Sequence, residues 1–350
     1  MASERRRAAI AAIALTLSAV STAPAAAQGS NHLADAAQDY RTFGGGNSVI
    51  SLTFENDYFA GTDRNYTNGV RLAFMSAPRE IEGWSGFIAK NILGADPDYG
   101  MRVGLAVGQS IFTPEDFTET DPLPDQHPYA GWLYFEHSVL GVRKRSLSRL
   151  TTQLGVVGPS AGAEWAQNTV HEFQGGEVAE GWDNQLRDEI GFTLTYERAQ
   201  ILFQTPRIFG LESDGLVLGG ATAGNVISEA KVGGMWRIGR NIRTDAGPPR
   251  IRPGLAGGEF FDKGVGNSWY AFIGAQGRAV AWNIFLDGNS FDGDAEPQVE
   301  RIPYVADFQA GVVLRFGRVQ LAYQVVARTE EFETQDDNQV FGALSFAAAF

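Results

Sequence analysis

Hydrophobic and polar positions alternate over long stretches of this chain. In residues 308–316 every second residue is apolar, whereas Gln309 and Arg315 fall on the opposite face. Alternation with a period of two is typical of β-strands that have one apolar face. The same pattern recurs in the segment that follows and again before the C-terminal residue, Phe350. It predicts strands joined by tight hairpins.

About twelve segments fit this pattern. They lie near residues 48–56, 67–77, 101–112, 130–143, 148–158, 188–204, 211–222, 226–238, 268–286, 300–316, 318–329 and 338–350. An even number of strands places both termini on one side of a membrane, the periplasmic side in bacterial barrels. The connections 113–129, 159–187 and 287–299 then face outside, and the short turns near Arg145 and Gly317 face the periplasm. The connections 78–100 and 239–267 are longer than periplasmic turns usually are.

Composition favours a membrane barrel over other β folds. Glycine accounts for 42 of 350 residues, well above the usual share of about 7%, and aromatic residues reach 11%. After the first 27 residues, no apolar run approaches the roughly 20 residues of a membrane-spanning helix. We therefore predict an all-β fold, a transmembrane outer-membrane antiparallel β-barrel of about 12 strands. A soluble β-sandwich, with the apolar faces as its core, is the alternative.

The first 27 residues have the layout of a secretory signal. Arg5 to Arg7 precede an apolar stretch that ends near Val20, and small residues up to Ala27 offer a cleavage site. We expect residues 1–27 to be a signal peptide and residues 28–350 to form the barrel domain. The terminal strand, closing on Phe350, looks like the signal that such barrels present to the barrel assembly machinery, an expected partner during biogenesis.

Charge and cysteine content exclude several classes of protein. The chain has 28 Lys and Arg against 41 Asp and Glu, and without residues 1–27 it keeps 25 against 40, a formal charge of −15. Nucleic acid is therefore not an expected partner, because a phosphate-binding surface needs clustered Lys and Arg. Cysteine is absent, which excludes disulfides, thiol catalysis and an acylated N-terminal cysteine.

Polar residues converge at the outer ends of the predicted strands. Asn56 and Asp57 end the first strand, and Thr67 begins the second. His171 lies in the loop after the fifth strand, which faces the same side. Strand parity puts Asp57 and Thr67 on the inner face, and it puts Asn56 on the outer face unless a bulge re-aims it. Four side chains distant in sequence are therefore predicted to meet at one rim.

This combination of residue types suits ester hydrolysis. A histidine side chain, with a pKa of about 6.5 in model peptides, can take a proton from water at neutral pH. Asp and Asn oxygens are ligands that Ca²⁺ prefers. A bound Ca²⁺ can polarise an ester carbonyl and stabilise the oxyanion that forms, so no nucleophilic side chain is needed.

Seven motifs, taken in order, point to one family. They are Glu55-Asn56-Asp57, Tyr66-Thr67-Asn68-Gly69, Pro128-Tyr129-Ala130-Gly131, Gly158-Pro159, Gln167-Asn168, His171 and Gly181-Trp182-Asp183-Asn184-Gln185. With this set the chain resembles the lipid A 3′-O-deacylase (LpxR) family from about residue 47 to its C-terminus. The resemblance implies a twelve-stranded outer-membrane barrel whose substrate is lipid A in lipopolysaccharide. It also implies Ca²⁺-dependent hydrolysis of the 3′-linked acyloxyacyl ester by histidine-activated water.

The resemblance assigns roles residue by residue. His171 matches the base that activates water, and Thr67 matches a hydroxyl on the second strand. Asn56 and Asp57 match the pair at the Ca²⁺-dependent centre, which implies that both are metal ligands as well as catalytic residues. One departure is that some members carry an active-site lysine in the loop after the third strand, whereas residues 111–127 here contain none.

Three alternatives stay open on the sequence. A non-catalytic barrel that binds lipopolysaccharide or passes small solutes is favoured by the missing lysine. A Ca²⁺-dependent outer-membrane phospholipase would use the same histidine chemistry. His127, in the loop after the third strand, is the rival to His171 as the base.

Overall fold

The alternating segments form twelve antiparallel strands that close into a barrel. The structure, a computed structural model, describes residues 46–57, 65–95, 100–143, 145–174, 176–242, 247, 260–261, 266–290 and 297–350. The expected signal peptide, residues 1–27, lies outside the described residues and stays a prediction. The strands are β1 (Val49–Asn56), β2 (Asn65–Met75), β3 (Met101–Thr113), β4 (Ala130–Arg143), β5 (Ser146–Val157), β6 (Glu189–Gln204), β7 (Glu212–Gly224), β8 (Ile227–Arg240), β9 (Ser268–Asn283), β10 (Tyr304–Phe316), β11 (Val319–Arg328) and β12 (Gln339–Ala349).

Each strand pairs with its neighbours in the chain, and β1 pairs with β12 to close the sheet. The closure extends beyond both strands, because Ser48 and Phe350 exchange two backbone hydrogen bonds of 3.2 and 3.0 Å. A sheet closed in this way leaves none of the twelve described strands with an unpaired edge, as a lipid environment demands. The predicted fold class and strand number are confirmed.

Alternate residues of the strands face lipid and lumen. The outward set is apolar and exposed, as at Leu105, Val107, Phe135, Leu154 and Phe308. The inward set is buried and is mostly small or polar, with clusters of larger apolar side chains among it. The soluble sandwich is therefore wrong, because a sandwich buries its apolar faces, whereas here the apolar face is the exposed one. This is the surface of a barrel whose wall contacts acyl chains.

Buried ion pairs fill the lumen. Arg71 and Glu136 are 2.7 Å apart, Arg237 and Asp214 are 2.5 Å apart, and all four side chains are almost completely buried. A buried charge is stable only beside its counter-charge, because an isolated one costs several kcal/mol. Within the described residues the lumen is thus a packed core in which paired charges lie beside apolar clusters.

Within the part of the chain that the structure describes, three α-helical segments lie in the connections between strands. They are α1 (Gly83–Phe87), which continues into a π-helical turn (Ile88–Ile92), α2 (Ala163–Gln174) and α3 (Ile284–Asp287). Among the described residues, no helix is both long and apolar enough to cross a membrane. Strand β9 ends at Asn283, three residues earlier than predicted, because the backbone turns there into helix α3.

The β2–β3 and β8–β9 connections are long and lie at the end of the barrel that carries the termini. The first packs on the outside of the barrel and the second contributes residues to its inside. Residues 81–95 pack against the outside of the barrel. Phe260 and Phe261, from the β8–β9 connection, are buried inside it. The guanidinium carbons of Arg102 and Arg315 lie 4.6 and 5.7 Å from the centroids of these two rings. The aromatic pair packs into the barrel at this end.

We predict that Glu136→Gln lowers the free energy of unfolding by about 3–5 kcal/mol, because buried Arg71 loses the carboxylate that it contacts at 2.7 Å. Urea unfolding of the barrel in phospholipid vesicles, followed by gel mobility, measures the loss. The double variant Arg71→Met/Glu136→Leu removes both charges and should recover most of it. Equal destabilisation of the single and double variants would contradict the role given to the pair.

A candidate active site on the outer wall of the barrel

A β-bulge in β2 sends two neighbouring side chains to opposite sides of the wall. The pairing of β2 with β3 shifts between Tyr66 and Asn68, so Thr67 is the extra residue. Tyr66 points into the lumen, where its hydroxyl donates to Glu55 Oε2 at 3.1 Å. Thr67 points outward, and its Oγ1 lies 2.7 Å from that of Thr113. The prediction that Thr67 faces the lumen is wrong, because the bulge shifts the alternation.

Asn56 and Asp57 reach the same outer side at the end of β1. Asn56 is the last residue of the strand, pairs with Asn68 of β2 and has the outward parity that was predicted. Asp57 follows the strand, where alternation no longer applies, and its side chain is fully buried. It lines the outer cleft with Asn56 and Thr67. The inward orientation predicted for Asp57 is therefore wrong.

Helix α2 lies across the outer wall beside these residues. The helix follows a 3₁₀ turn (Pro159–Ala161), and the carbonyl of Ala161 accepts a 2.7 Å hydrogen bond from Gln109 of β3. Gly131 of β4 permits the close approach, since a Cβ atom there would lie 2.6 Å from the Cβ atom of Ala163. The segment predicted as a loop is therefore a helix seated on the wall.

His171 lies on the last turn of α2. Its Nδ1 donates to the carbonyl oxygen of Glu177 at 2.6 Å. The ring also packs edge-on against Phe117, with centroids 5.6 Å apart. Because a carbonyl oxygen can only accept, Nδ1 carries the proton and Nε2 carries the lone pair. This is the tautomer that a base acting through Nε2 requires.

A cleft of about 360 Å³ between α2 and the wall brings the predicted residues together. Its polar lining consists of Asn56, Asp57, Thr67, Asn68, Gln109, Gln167 and His171, and its apolar lining consists of Phe54, Val70, Ile111, Ala166, Val170 and Leu344. Phe54 and Leu344 are paired residues of β1 and β12 that face lipid. Polar groups at membrane depth are costly and are kept mainly for function. The cleft is therefore the candidate active site.

Gln167 is a residue of the cleft that the sequence named only as part of a motif. It lies one turn before His171 on α2 and is buried. Neither its Oε1 nor its Nε2 has a hydrogen-bond partner among the described residues. A buried amide without partners costs about 1–3 kcal/mol, which is a reason to expect a bound group there. The spacing of four residues between Gln167 and His171 was the available signal, once a helix is assumed.

The oxygen atoms in the cleft suit a hard cation such as Ca²⁺. The carboxylate of Asp57, the amide oxygens of Asn56 and Gln167 and the hydroxyl of Thr67 are all of the type that Ca²⁺ accepts. Within the described ranges, no group of three or more His, Cys, Asp and Glu side chains is placed to hold a metal ion. The donor set therefore fits Ca²⁺ with one charged ligand, and we expect weak affinity.

His127, the rival base, belongs to the lumen. Its ring is buried and lies parallel to that of Phe112, with centroids 5.3 Å apart, and its Nδ1 donates to the carbonyl oxygen of Pro128 at 2.8 Å. Burial lowers the pKa of His127 to about 4. This histidine does not line the outer cleft, so it lies outside the candidate site.

Several of the other motif residues hold the outer loops in place. Tyr129 donates from its hydroxyl to the carbonyl oxygen of Phe117 at 2.7 Å, and its ring packs against Trp182. Asn168 exchanges two hydrogen bonds, of 3.0 and 3.3 Å, with the backbone of Ala179. These contacts fix the loop that returns from α2 and supplies the carbonyl group bound to His171.

Fold and site together define a class: an outer-membrane β-barrel with a polar cleft on its lipid-facing wall. The family model of outer membrane protein LpxR matches residues 11–350, and the chain belongs to this family. The family resemblance and the predicted outer-membrane location are confirmed.

The chain is also similar to solved structures, of which that of a Salmonella LpxR supports the fold. LpxR from Salmonella typhimurium has a TM-score of 0.71 and 19% sequence identity, over 86% of this chain and 100% of that chain. The β domain of the Bordetella autotransporter BrkA has a TM-score of 0.41 and 12% identity, over 87% of this chain and 100% of that chain. No curated protein sequence matches the chain.

We predict that His127 makes the barrel less stable in acid. The unfolded chain binds its proton with a pKa of about 6.5 and the folded chain with a pKa of about 4. Stability is therefore intact above the unfolded value and falls as pH drops from one value to the other. Between pH 7.5 and pH 5 the loss attributable to this residue is about 2 kcal/mol. Comparing urea unfolding of His127→Phe and the natural chain at both pH values isolates it, and identical pH dependence of the two would contradict it.

Proposed function

We propose that this protein is a lipid A deacylase that hydrolyses the 3′-linked acyloxyacyl ester with water activated by His171 and with Ca²⁺. The observation that carries the proposal is the position of the cleft. It places His171 with Asn56, Asp57 and Thr67 on the lipid-facing wall, at the end opposite the termini. That end meets the outer leaflet, which is where lipid A lies.

The apolar lining of the cleft supports lateral entry of the substrate. Phe54 and Leu344 are exposed on the outer wall, and Val170 of α2 is exposed beside them. An acyl chain can therefore enter from the membrane without leaving an apolar environment. Its ester group would stop where the lining becomes polar, at Asn56 and Thr67.

In the proposed reaction, Nε2 of His171 takes a proton from water as the water oxygen attacks the ester carbonyl carbon. The bond between that carbon and the 3′ oxygen then breaks, and the same histidine returns the proton to the leaving oxygen. The products are the free acyloxyacyl acid and a 3′-hydroxyl group. The hydrogen bond from Nδ1 to the Glu177 carbonyl supports this role, because it orients the ring and stabilises the imidazolium.

Asp57, Asn56, Gln167 and Thr67 are the residues that would hold Ca²⁺. When bound, the ion supplies positive charge that stabilises the developing oxyanion. Thr67 also contacts Thr113, which keeps its hydroxyl fixed at the edge of the cleft. The buried amide of Gln167 gains a partner in this arrangement.

The loop after β3 is acidic and lacks the lysine that some family members carry there. No Lys or Arg is among the described residues that line the cleft. The loop after β3 carries five carboxylates, Glu115, Asp116, Glu119, Asp121 and Asp125. Carboxylates repel phosphate, so bridging divalent cations replace the lysine in this proposal. The requirement for divalent cations therefore extends beyond the cleft.

The packed lumen argues against a solute barrel. The Arg71–Glu136 pair occupies the lumen together with Gln153, which donates to Glu136 at 3.1 Å. Phe260 and Phe261 add apolar packing at the end that carries the termini. Passage of a solute would require these buried contacts to open.

We predict that His171→Ala lowers deacylation by about 10²–10⁴-fold, the usual contribution of a general base. The measurement is mass spectrometry of lipid A from cells that express the protein, with Ca²⁺ or with EDTA. Loss of an acyloxyacyl group should require both Ca²⁺ and His171. His137→Ala is the matched control, because His137 lies in mid-strand β4 and does not line the cleft.

Two results would contradict the proposal. An unchanged lipid A spectrum from a folded barrel in the outer membrane would favour a binding barrel. Release of fatty acid from glycerophospholipid in mixed vesicles, with lipid A left intact, would favour a phospholipase.

We predict that Asp57→Asn raises the Ca²⁺ concentration needed for half-maximal activity, because it removes the charged ligand found among the described residues of the cleft, at nearly constant shape. Gln167→Leu should raise the Ca²⁺ concentration for half-maximal activity by less, since a neutral ligand contributes less to the binding of Ca²⁺. Initial rates of lipid A deacylation over a Ca²⁺ titration measure both. A lower maximal rate with an unchanged Ca²⁺ requirement would rule out a ligand role for Asp57.

A further inference from the structure

The connection between β2 and β3 covers part of the outer wall. Leu93 is buried in a cluster with Val139 of β4. Val139 has the same outward parity as the exposed Phe135. Gly141, two residues further on, allows close approach, because a Cβ atom there would lie 3.2 Å from that of Leu93. Residues 81–95 therefore sit outside the barrel, on the surface that faces lipid.

The opposite face of this segment presents large apolar side chains. Trp84, Phe87 and Ile92 are 74%, 51% and 53% exposed. The rings of Trp84 and Phe87 stack with centroids 5.5 Å apart. Lys90, beside them, lies 3.2 Å from Glu80 at the surface. A grouped apolar patch with a polar border marks a surface that contacts something other than water.

The patch continues a belt of aromatic side chains around this end of the barrel. Phe74 near the end of β2 and the C-terminal Phe350 face outward, with ring centroids 6.4 Å apart. Trp269 and Phe316 occupy the matching ends of β9 and β10 and are also exposed. Aromatic girdles of this kind lie at the boundary between membrane and water.

The spacing along β4 places α1 and α2 at opposite boundaries of the membrane. Helix α2 packs on Gly131, and the segment after α1 packs on Gly141, ten residues along the same strand. Ten residues at about 3.3 Å each, on a strand tilted by about 40°, span about 25 Å along the barrel axis. That is about the height of the apolar band of outer-membrane barrels.

We propose that residues 81–93 are an interfacial anchor that inserts Trp84, Phe87 and Ile92 among the glycerophospholipids of the periplasmic leaflet. The end with the termini is the periplasmic one, so this is the leaflet that the patch meets. Charge in the segment and just before it is balanced, with Glu82 against Lys90 and Glu80 against Arg79, which suits zwitterionic headgroups. The anchor holds the barrel at a fixed depth, and thereby holds the cleft at the far end of β4 at a fixed height.

Site-directed spin labelling tests the anchor, and the chain has no natural cysteine to interfere. Phe87→Cys and Ile92→Cys carry a nitroxide in the full barrel, reconstituted in zwitterionic phospholipid vesicles. Leu105→Cys on the lipid-facing wall and Asp121→Cys on the outer loop serve as membrane and water references. Collision rates with oxygen and with a polar nickel complex report depth.

We expect the labels at 87 and 92 to favour oxygen over nickel, with a ratio between those of the two references. A ratio equal to that at 121 would overturn the anchor. Protection from both reagents would also overturn it, because it would mean contact with another protein or a second copy. Gel mobility checks that each variant is folded. In the unlabelled chain, brominated phospholipid should quench more fluorescence than it does in Trp84→Phe, and equal quenching would count against the proposal.

Discussion

Lipid offers no hydrogen bonds, so every backbone N–H and C=O group in the membrane-embedded wall must find its partner within the sheet. Pairing of β1 with β12 meets that demand for all twelve strands. Closure also fixes the two faces, apolar outside and polar inside, and it forces buried charges such as Arg71 and Glu136 to pair. With the lumen filled, specific chemistry has to be placed on the outer wall or in the loops.

A polar cleft on a lipid-facing wall needs two departures from regular strand geometry. The bulge at Thr67 turns its hydroxyl outward and the neighbouring Tyr66 to the lumen. Helix α2 then covers that part of the wall and adds Gln167 and His171 from the opposite side. Each polar group is thereby enclosed by protein instead of acyl chains. A bulge and a seated helix together create a site that uninterrupted alternation excludes.

The strands could be predicted because lipid contact preserves the period of two along nearly the whole wall. The convergence of the four candidate residues could be predicted too, since all of them line one cleft. The orientation of Asn56 could be predicted, whereas those of Thr67 and Asp57 could not. One extra residue at Thr67 reverses parity and leaves no trace in the pattern of residues, and Asp57 follows the end of β1, where alternation no longer applies. Gln167 was not predicted as a residue of the site, because its segment was predicted to be a loop. The helix that carries Trp84 was not predicted, because five residues are too few to show a helical period.

The cleft opens sideways between Phe54, Val170 and Leu344. This opening changes what determines the rate at which a ligand reaches the cleft. A ligand that arrives through a leaflet diffuses in two dimensions, so its supply is set by surface density and by the viscosity of the leaflet. Dilution of the surrounding medium leaves that supply unchanged. A more viscous lipopolysaccharide layer, by contrast, slows the diffusion of the ligand to the cleft. The activity of a protein with such a cleft therefore depends on the viscosity of the membrane around it.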